Sequence, residues 1–163
     1  MEEFSINVVK EDKKLPNGKT AVWTYVKHTD AVMILPILND EEIIMIKQYR
    51  PAIGKWVYEL PAGMIEGSED PKIRAAKELA EETGFTAGSI KPLFESYSSP
   101  GFSTEKILFF TATELKKGRQ MLEENEIITV ERVKISKAIE MIKSNRVESG
   151  YTIQAILFYC FAR

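Results

Sequence analysis

The sequence predicts a mixed α/β fold in which a central sheet is covered by helices on both faces. Segments with the alternation or β-branched density of strands flank a capped helix on both sides, and the end of the chain has helical periodicity. The chain has 163 residues, of which 44% are hydrophobic and 28% are charged. This length and composition suit one domain over residues 1–163 that buries its own core.

Turn residues and periodicity place the elements in order. The predicted strands cover residues 5–10, 20–27, 31–38, 42–49, 57–60, 107–113 and 127–133, and the last two helices cover residues 136–144 and 152–162. A Pro-Asn-Gly turn within residues 15–19 joins the first two strands, so residues 1–27 form an antiparallel hairpin ahead of the main sheet. Ser136 and Thr152 are expected at or near the N-caps of their helices.

A further helix is predicted over residues 71–83, and both of its ends carry recognisable signals. Asp70 is a suitable N-cap and Pro71 suits the first helical position. Gly84 suits the left-handed residue just past the end. These boundaries determine which side chains of the helix share a face.

One face of this helix concentrates three carboxylates. At 100° per residue, Glu78, Glu81 and Glu82 span roughly 100° of the helix surface. The side expected to pack is the opposite one, which carries Ile73, Ala76, Leu79 and Ala80. Like charges at these spacings each cost a few tenths of a kcal/mol, so cations are needed to neutralise the cluster. Mg²⁺ is a hard cation that prefers oxygen ligands. The alternative interpretation is a solvated acidic face without a ligand.

Residues 63–85 resemble the signature of the Nudix hydrolases, in which a glycine loop leads into this kind of acidic helix. The matching positions are Gly63, Glu69, Glu78, Leu79, Glu81, Glu82, Gly84 and Phe85. The departure is Lys77, where the family has an arginine that pairs with the metal-binding glutamates. Lys77 keeps the charge but lacks the planar fork, which Arg74, four residues before Glu78, is placed to supply.

The resemblance implies a Nudix-type α/β/α sandwich with a mixed central sheet and an N-terminal antiparallel hairpin. It also implies hydrolysis of a nucleoside diphosphate joined to a second group, with two or three Mg²⁺ ions per site and Mn²⁺ as a possible substitute. The implied metal ligands are the carbonyl of Ala62 with Glu78, Glu82, Glu81 and Glu126. A Nudix fold that binds nucleotides or a partner without hydrolysis is the alternative.

Segments outside the box resemble the ADP-ribose pyrophosphatase subfamily. Pro100 lies 15 residues past Phe85, as the marker proline of that subfamily does. The candidate substrate-binding residues are Arg50, Trp23, Glu59, Met64, Pro100 and Gly101. By the resemblance, Arg50 contacts the diphosphate and Trp23 stacks on the adenine. An exposed strand end is the alternative for Arg50, and hairpin core or dimer interface for Trp23. ADP-ribose would give AMP and ribose 5-phosphate, with ADP-glucose and GDP-mannose as alternative substrates.

A second acidic cluster, residues 123–126, precedes the last predicted strand. It is similar to the mobile loop that brings a glutamate over the metals in ADP-ribose hydrolases. Together with the helix carboxylates Glu78, Glu81 and Glu82, the candidate catalytic residues are Glu126 and, as second choice, Glu124. A solvated charge run is the alternative interpretation.

Charge and cysteine content bound the partners and the compartment. A net charge of −2 and a pI near 5.6 give no basic field for nucleic acid or an anionic membrane, so a small nucleotide sugar is the expected partner. One cysteine, Cys160, excludes an intramolecular disulfide. The beginning of the chain lacks a signal-peptide pattern, so a cytoplasmic location is expected. The hairpin resembles a dimerisation element of ADP-ribose-type members, which predicts a homodimer, with a monomer and a folded-back hairpin as the alternative.

Overall fold

The structure is a computed structural model that describes residues 7–162. Its strands are β1 (Asn7–Lys14), β2 (Thr20–Lys27), β3 (Ala31–Pro36), β4 (Glu42–Arg50), β5 (Lys55–Glu59), β6 (Ala62–Met64), β7 (Phe85–Tyr97), β8 (Lys106–Lys117) and β9 (Ile128–Lys134), and its helices are α1 (Pro71–Thr83), α2 (Ile135–Lys143) and α3 (Gly150–Phe161). Among these residues, no helix is long and apolar enough to cross a membrane.

Two of the described sheets build the body of the domain. One is mixed, in the order β6-β3-β8-β7, with β3 parallel to β8 and the other pairs antiparallel. The other is antiparallel, in the order β5-β4-β9. A bridge between Ile37 and Ile43 joins their central strands. The predicted mixed central sheet is confirmed.

Every residue of β3 is buried, because helices cover both faces of the sheet that contains it. Val32 and Ile34 face α1, where Ala75 and Leu79 are fully buried. Met33 and Leu35 face the other side, where the core continues into α2 and α3. The predicted α/β/α sandwich is therefore confirmed, and α1 is held in place by one of the two cores.

The N-terminal hairpin stands apart from this body as a sheet of two strands. β1 and β2 pair in antiparallel register from Asn7 with Lys27 to Lys14 with Thr20, as predicted for a hairpin. β1 continues to Lys14, past the predicted end at residue 10, and the first two residues of the predicted strand lie outside the described part. The hydrophobic pattern ends this strand too early because most of its side chains are exposed, so charged residues extend it freely.

Two strands were absent from the prediction. β6 is three residues long and was expected as loop. β7 has 13 residues, but it contains Gly88 and Pro92, which argue against a strand. Pro92 is tolerated because β7 is the edge of its sheet and the register shifts between Pro92 and Phe94.

The N-caps of the last two helices differ from the prediction. α2 begins at Ile135 with Lys134 in the cap position, and α3 begins at Gly150 after Ser149. Thr152 is instead a fully buried residue inside α3, where its Oγ1 accepts a hydrogen bond of 3.1 Å from the Leu60 N–H. This bond fixes the chain between β5 and β6.

Candidate active site

Helix α1 has the boundaries that the sequence predicted. The Asp70 side chain accepts hydrogen bonds from the backbone N–H groups of Lys72 and Ile73, and Gly84 follows the last turn at φ +72°. A Cβ at Gly84 would lie 2.8 Å from the Gln120 backbone nitrogen, so a side chain there would collide with the segment that crosses the helix end.

Glu78 and Glu81 of α1 line a cavity of about 560 Å³. The packing side predicted for this helix is wrong in part, because Ile73 and Ala76 are exposed while Glu78 and Glu82 are buried with Ala75 and Leu79. The cavity brings together parts of the chain that are far apart in sequence. Its lining comprises Arg50, Ala62, Gly63, Met64, Glu66, Arg74, Glu78, Glu81, Met121, Leu122, Glu123 and Glu126. Six of the predicted site residues thus meet here: Arg50, Ala62, Met64, Glu78, Glu81 and Glu126.

Glu82 lies behind the cavity lining and is 3% exposed. Its Oε2 accepts a hydrogen bond of 2.9 Å from the Ala62 N–H, which ties α1 to β6. Burial raises the pKa of the Glu82 carboxyl well above its usual range, and the charge of nearby Glu78 raises it further. The Ala62 hydrogen bond opposes that shift without cancelling it.

Glu78 is also buried, and it fits against the backbone of β6 only because residue 63 is a glycine. A Cβ at Gly63 would lie 1.7 Å from Glu78 Oε1, so any larger residue would displace the carboxylate. Burial raises the pKa of Glu78 to about 7, although the neighbouring guanidinium of Arg74 pulls it down. Two buried carboxylates with raised pKa values are typical of a site that takes up positive charge.

The basic residues of α1 pair differently from one another. Lys77 Nζ lies 2.5 Å from Glu69 Oε1 at the outer end of the glycine loop. Arg74 pairs through Nη2 with Glu78 and donates from Nη1 to Glu66 at 3.3 Å. The suggestion that Arg74 supplies a guanidinium to Glu78 thus agrees with the structure, although the two nitrogens contact different carboxylates.

The opposite wall of the cavity carries Arg50 at the end of β4. Its Nε donates a hydrogen bond of 2.8 Å to Glu59 Oε2 on the neighbouring strand. The Glu59 side chain is 11% exposed, and that of Arg50 is 45% exposed. Glu59 therefore orients a guanidinium that lines the cavity, a suitable arrangement for phosphate oxygens.

The acidic loop reaches the cavity through Glu126. Glu126 accepts a hydrogen bond of 2.9 Å from the Glu123 N–H and donates its own N–H to the Glu123 carbonyl. Glu124 is exposed, and its neighbours Glu123 and Glu126 line the cavity instead. This placement favours Glu126 over Glu124 as the loop carboxylate near α1.

The start of this loop is anchored to α1. The Met121 N–H donates a hydrogen bond of 2.9 Å to the Glu81 carbonyl. Gln120 Nε2 donates a hydrogen bond of 2.7 Å to the Glu82 carbonyl. These bonds satisfy carbonyl groups that a helix end leaves without intrahelical partners. The loop therefore has a fixed base beside the carboxylates and an exposed tip.

The remaining predicted substrate residues lie elsewhere. Trp23, Pro100 and Gly101 line a second, smaller cavity of about 240 Å³ together with Lys13, Tyr25 and residues 102–104. The hairpin reaches this place through backbone bonds between Val26 and the segment at Phe102 and Thr104. Within one described chain, these three residues are thus separate from the carboxylate cavity.

Sequence reasoning did not select some residues of the carboxylate cavity, namely Glu66, Met121, Leu122 and Glu123. Glu66 lies inside the Nudix signature at a position the signature leaves free. Met121 and Leu122 belong to the irregular segment between β8 and β9, which carries no periodicity to predict its path. A helix-end carbonyl in need of a donor is the only sequence signal for that crossing.

The cavity suits a divalent cation by its donor chemistry, since carboxylates and a backbone carbonyl meet there. Among residues 7–162, no three His, Cys, Asp or Glu side chains are already grouped as a closed metal site. Glu78 is turned towards Arg74, and Glu82 towards the Ala62 N–H. Carboxylate oxygens are nevertheless the preferred ligands of Mg²⁺, and both can serve after a change of partner.

The comparisons with known proteins agree with this geometry. The sequence model of the NUDIX domain family matches residues 27–155, and the chain belongs to this family. The family predicted from residues 63–85 is therefore confirmed, together with the enzyme class that comes with it, a Nudix hydrolase.

Curated relatives match nearly the whole chain. An ADP-ribose pyrophosphatase of Bacillus subtilis (strain 168) is 37% identical over 155 residues, covering 94% of this chain and 84% of the relative. The methanol dehydrogenase activator of Bacillus methanolicus is 36% identical, covering 95% and 86%. A GDP-mannose pyrophosphatase of Shigella flexneri serotype 5b (strain 8401) is 30% identical, covering 94% and 83%.

A solved structure shares the fold. It is described as an ADP compounds hydrolase and superposes with a TM-score of 0.83, covering 98% of this chain and 86% of its own. Its sequence identity is 22%, so it shows the architecture alone.

Proposed function

We propose that the protein hydrolyses the diphosphate of ADP-ribose to AMP and ribose 5-phosphate, with Mg²⁺ as the cofactor. The observation that carries the proposal is the meeting of Glu78, Glu81, Arg50 and Glu126 around one cavity, with Glu82 buried behind it. Two relatives that cover most of the chain support a nucleotide sugar as substrate, because both are named as pyrophosphatases of such compounds.

The division of labour in the site follows from the positions of its side chains. Glu78 and Glu82, with Glu81 and the carbonyl of Ala62, would hold two or three cations, and Mn²⁺ is a possible substitute. When bound, divalent cations stabilise the negative charge that develops on a diphosphate during hydrolysis. Arg50, oriented by Glu59, would bind phosphate oxygens and align the diphosphate in the cavity.

The proton-transfer role is assigned to the acidic loop. Glu126 would accept the proton of the attacking water, since it lines the cavity and has its backbone tied into its own loop. Glu124 is the second choice, and a movement of the exposed loop tip would be needed to bring it in.

The assembly and location are proposed from the hairpin and the composition. A two-stranded hairpin is marginally stable alone, and Val8, Val22 and Trp23 are exposed on it. A second copy that covers these side chains would give a homodimer, and would bring the cavity at Trp23, with Pro100 and Gly101, into the substrate site. Residues 1–27 would be the dimerisation element and residues 63–85 the catalytic segment of one cytoplasmic domain.

The test is release of AMP from ADP-ribose in the presence of Mg²⁺. ADP-glucose, GDP-mannose and dinucleotide polyphosphates are assayed beside it, with EDTA as the control. Preferential Mg²⁺-dependent cleavage of ADP-ribose supports the proposal. Preferential cleavage of GDP-mannose favours the second candidate, for which the Shigella relative is the motivation. Binding of ADP-ribose without turnover would instead indicate a binding module.

A further inference from the structure

Arg74 is a positively charged side chain placed among the α1 carboxylates themselves. It lines the cavity and its side chain is 14% exposed. Nη2 pairs with Glu78, one turn further along the helix, and Nη1 donates to the more exposed Glu66. The carboxylate on which the proposed metal site depends is thus already occupied by a cation of the protein.

The hydrogen bonding of Arg74 is incomplete. Its Nε is buried and has no partner among the described residues. A buried N–H without an acceptor is unfavourable, so this arrangement leaves a donor available for a further oxygen. Glu66, whose side chain is 76% exposed, already accepts from Nη1 and lies on the solvent side of the pair. The guanidinium therefore has a partner to keep when it leaves Glu78.

We propose that Arg74 is an internal counter-cation that competes with the divalent metal for Glu78. The metal would gain Glu78 as a ligand only when the guanidinium turns away towards Glu66, where its free donors can meet phosphate oxygens. This inference rests on the proposed function, because it takes the α1 carboxylates to be metal ligands. It makes Arg74 a positioning residue that keeps the buried carboxylate compensated before the metal arrives.

Lys77 does not share this role, although it stands next to Glu78 in sequence. Its Nζ is bound to Glu69, and its side chain is 53% exposed. The competition is therefore specific to the guanidinium one turn earlier. Because a unit charge in contact with a buried carboxylate is weakly screened, its removal should change metal affinity strongly.

The experiment is a titration of the protein with Mn²⁺ in the absence of substrate, followed by the electron paramagnetic resonance signal of free Mn²⁺. Arg74→Gln and Arg74→Met each remove the charge and keep the first part of an unbranched side chain. Arg74→Lys keeps the charge and removes the fork. Lys72→Gln removes an exposed charge from the same helix and is the matched control. Circular dichroism identifies which variants are folded. One folded neutral variant, Arg74→Gln or Arg74→Met, is enough for the test.

The expected result is Mn²⁺ binding roughly tenfold tighter in the folded neutral variants than in the unmodified protein. Arg74→Lys should stay closer to the unmodified protein than the neutral variants do, and Lys72→Gln should change affinity by less than about twofold. Unchanged or weaker binding in the neutral variants overturns the inference, and would show that Arg74 braces Glu78 for the metal. If that result came with intact Mg²⁺-dependent hydrolysis, the proposed function would stand. Absence of Mn²⁺ binding in the unmodified protein and in both neutral variants would overturn the inference, and absence of Mg²⁺-dependent hydrolysis as well would overturn the proposed function.

Discussion

The two cavities of the molecule are built in opposite ways. The carboxylate cavity lies between α1, β4, β6 and an anchored loop, and its key acids are almost fully buried. The cavity at Trp23 lies between an exposed hairpin and the segment at residues 100–104. Charged side chains keep a fixed geometry when they are buried and held by several contacts. An exposed surface can bind different partners. The difference suggests that chemistry belongs to the first cavity and selection of the base to the second.

The largest expected effect is on the carboxylate cavity. Glu82→Gln removes the charge of a proposed metal ligand and keeps a side-chain oxygen that can accept the Ala62 N–H hydrogen bond. Turnover should fall by more than roughly 100-fold, since even residues that only support metal ligands are worth about 10–100-fold. The measurement is kcat for ADP-ribose at saturating Mg²⁺. Glu140→Gln, at an exposed carboxylate of α2, is the control, and near-normal turnover in Glu82→Gln would break the comparison.

The charge of the buried carboxylates in the same cavity should make the stability of the metal-free protein depend on pH. The pKa of Glu78 is raised to about 7, so between pH 4.5 and 7 the folded protein binds a proton that the unfolded chain releases. The contribution of Glu78 to the free energy of unfolding is therefore complete below about pH 4.5 and is lost as pH rises through about 7. The free energy of unfolding in EDTA should fall by a few kcal/mol at most from this group across that range.

Urea denaturation of the metal-free protein at pH 5 and pH 8 measures this contribution. Glu78→Gln should lose part of the difference between the two pH values, because the raised pKa of Glu82 contributes in the same direction. Mg²⁺ should restore stability to the unmodified protein at pH 8. A pH dependence that is identical in Glu78→Gln would show that this carboxylate is not the source.

Variants of Arg50 distinguish alignment of the substrate from metal binding within the first cavity. Arg50→Ala removes the charged hydrogen bonds proposed to hold the diphosphate, which would be worth about 2 kcal/mol, or roughly 30-fold in kcat/KM. Arg50→Lys should recover part of the loss because it keeps the charge without the fork. Glu59→Gln is the companion variant, and it should cost less than Arg50→Ala. An equal cost would mean that the pair is structural.

The smallest effect is expected at the hairpin. Trp23→Ala removes a surface on which a base can stack, worth about 1 kcal/mol, or roughly fivefold in kcat/KM for ADP-ribose. Trp56→Ala is the matched control, since the two indoles are 48% and 43% exposed. Light scattering of both variants distinguishes loss of a dimer from loss of stacking. Unchanged kinetics with an unchanged oligomeric state would remove Trp23 from the substrate site.

The sequence predicts the carboxylate cavity better than the rest because local signals determine it. Asp70 and Gly84 cap α1, and helical spacing then groups Glu78, Glu81 and Glu82 on one part of its surface. The burial of Glu78 and Glu82 does not follow from that spacing. The partner of Arg74 also follows from helical spacing, since Glu78 is one turn away. What sequence spacing does not supply is the close approach of Gly63 to Glu78, which depends on how β6 packs against the helix.

Elements set by tertiary contacts were the ones missed. β7 forms despite Gly88 and Pro92 because pairing with β8 outweighs their low strand propensity. Thr152 has the residue type of a helix cap, but burial against Leu60 gives it another use. The path of residues 118–126 depends on the carbonyls of α1, which periodicity does not reveal.

The most direct test of the comparison is the ratio of kcat/KM for ADP-ribose to that for GDP-mannose, measured with Mg²⁺ in the unmodified protein, Glu82→Gln and Trp23→Ala. Glu82→Gln should lower both values together and leave the ratio unchanged, because it removes chemistry common to both substrates. Trp23→Ala should lower the ratio while leaving most of the turnover. A Glu82→Gln enzyme that retains turnover, or a Trp23→Ala enzyme that loses both activities equally while remaining folded, would contradict the division between the two cavities.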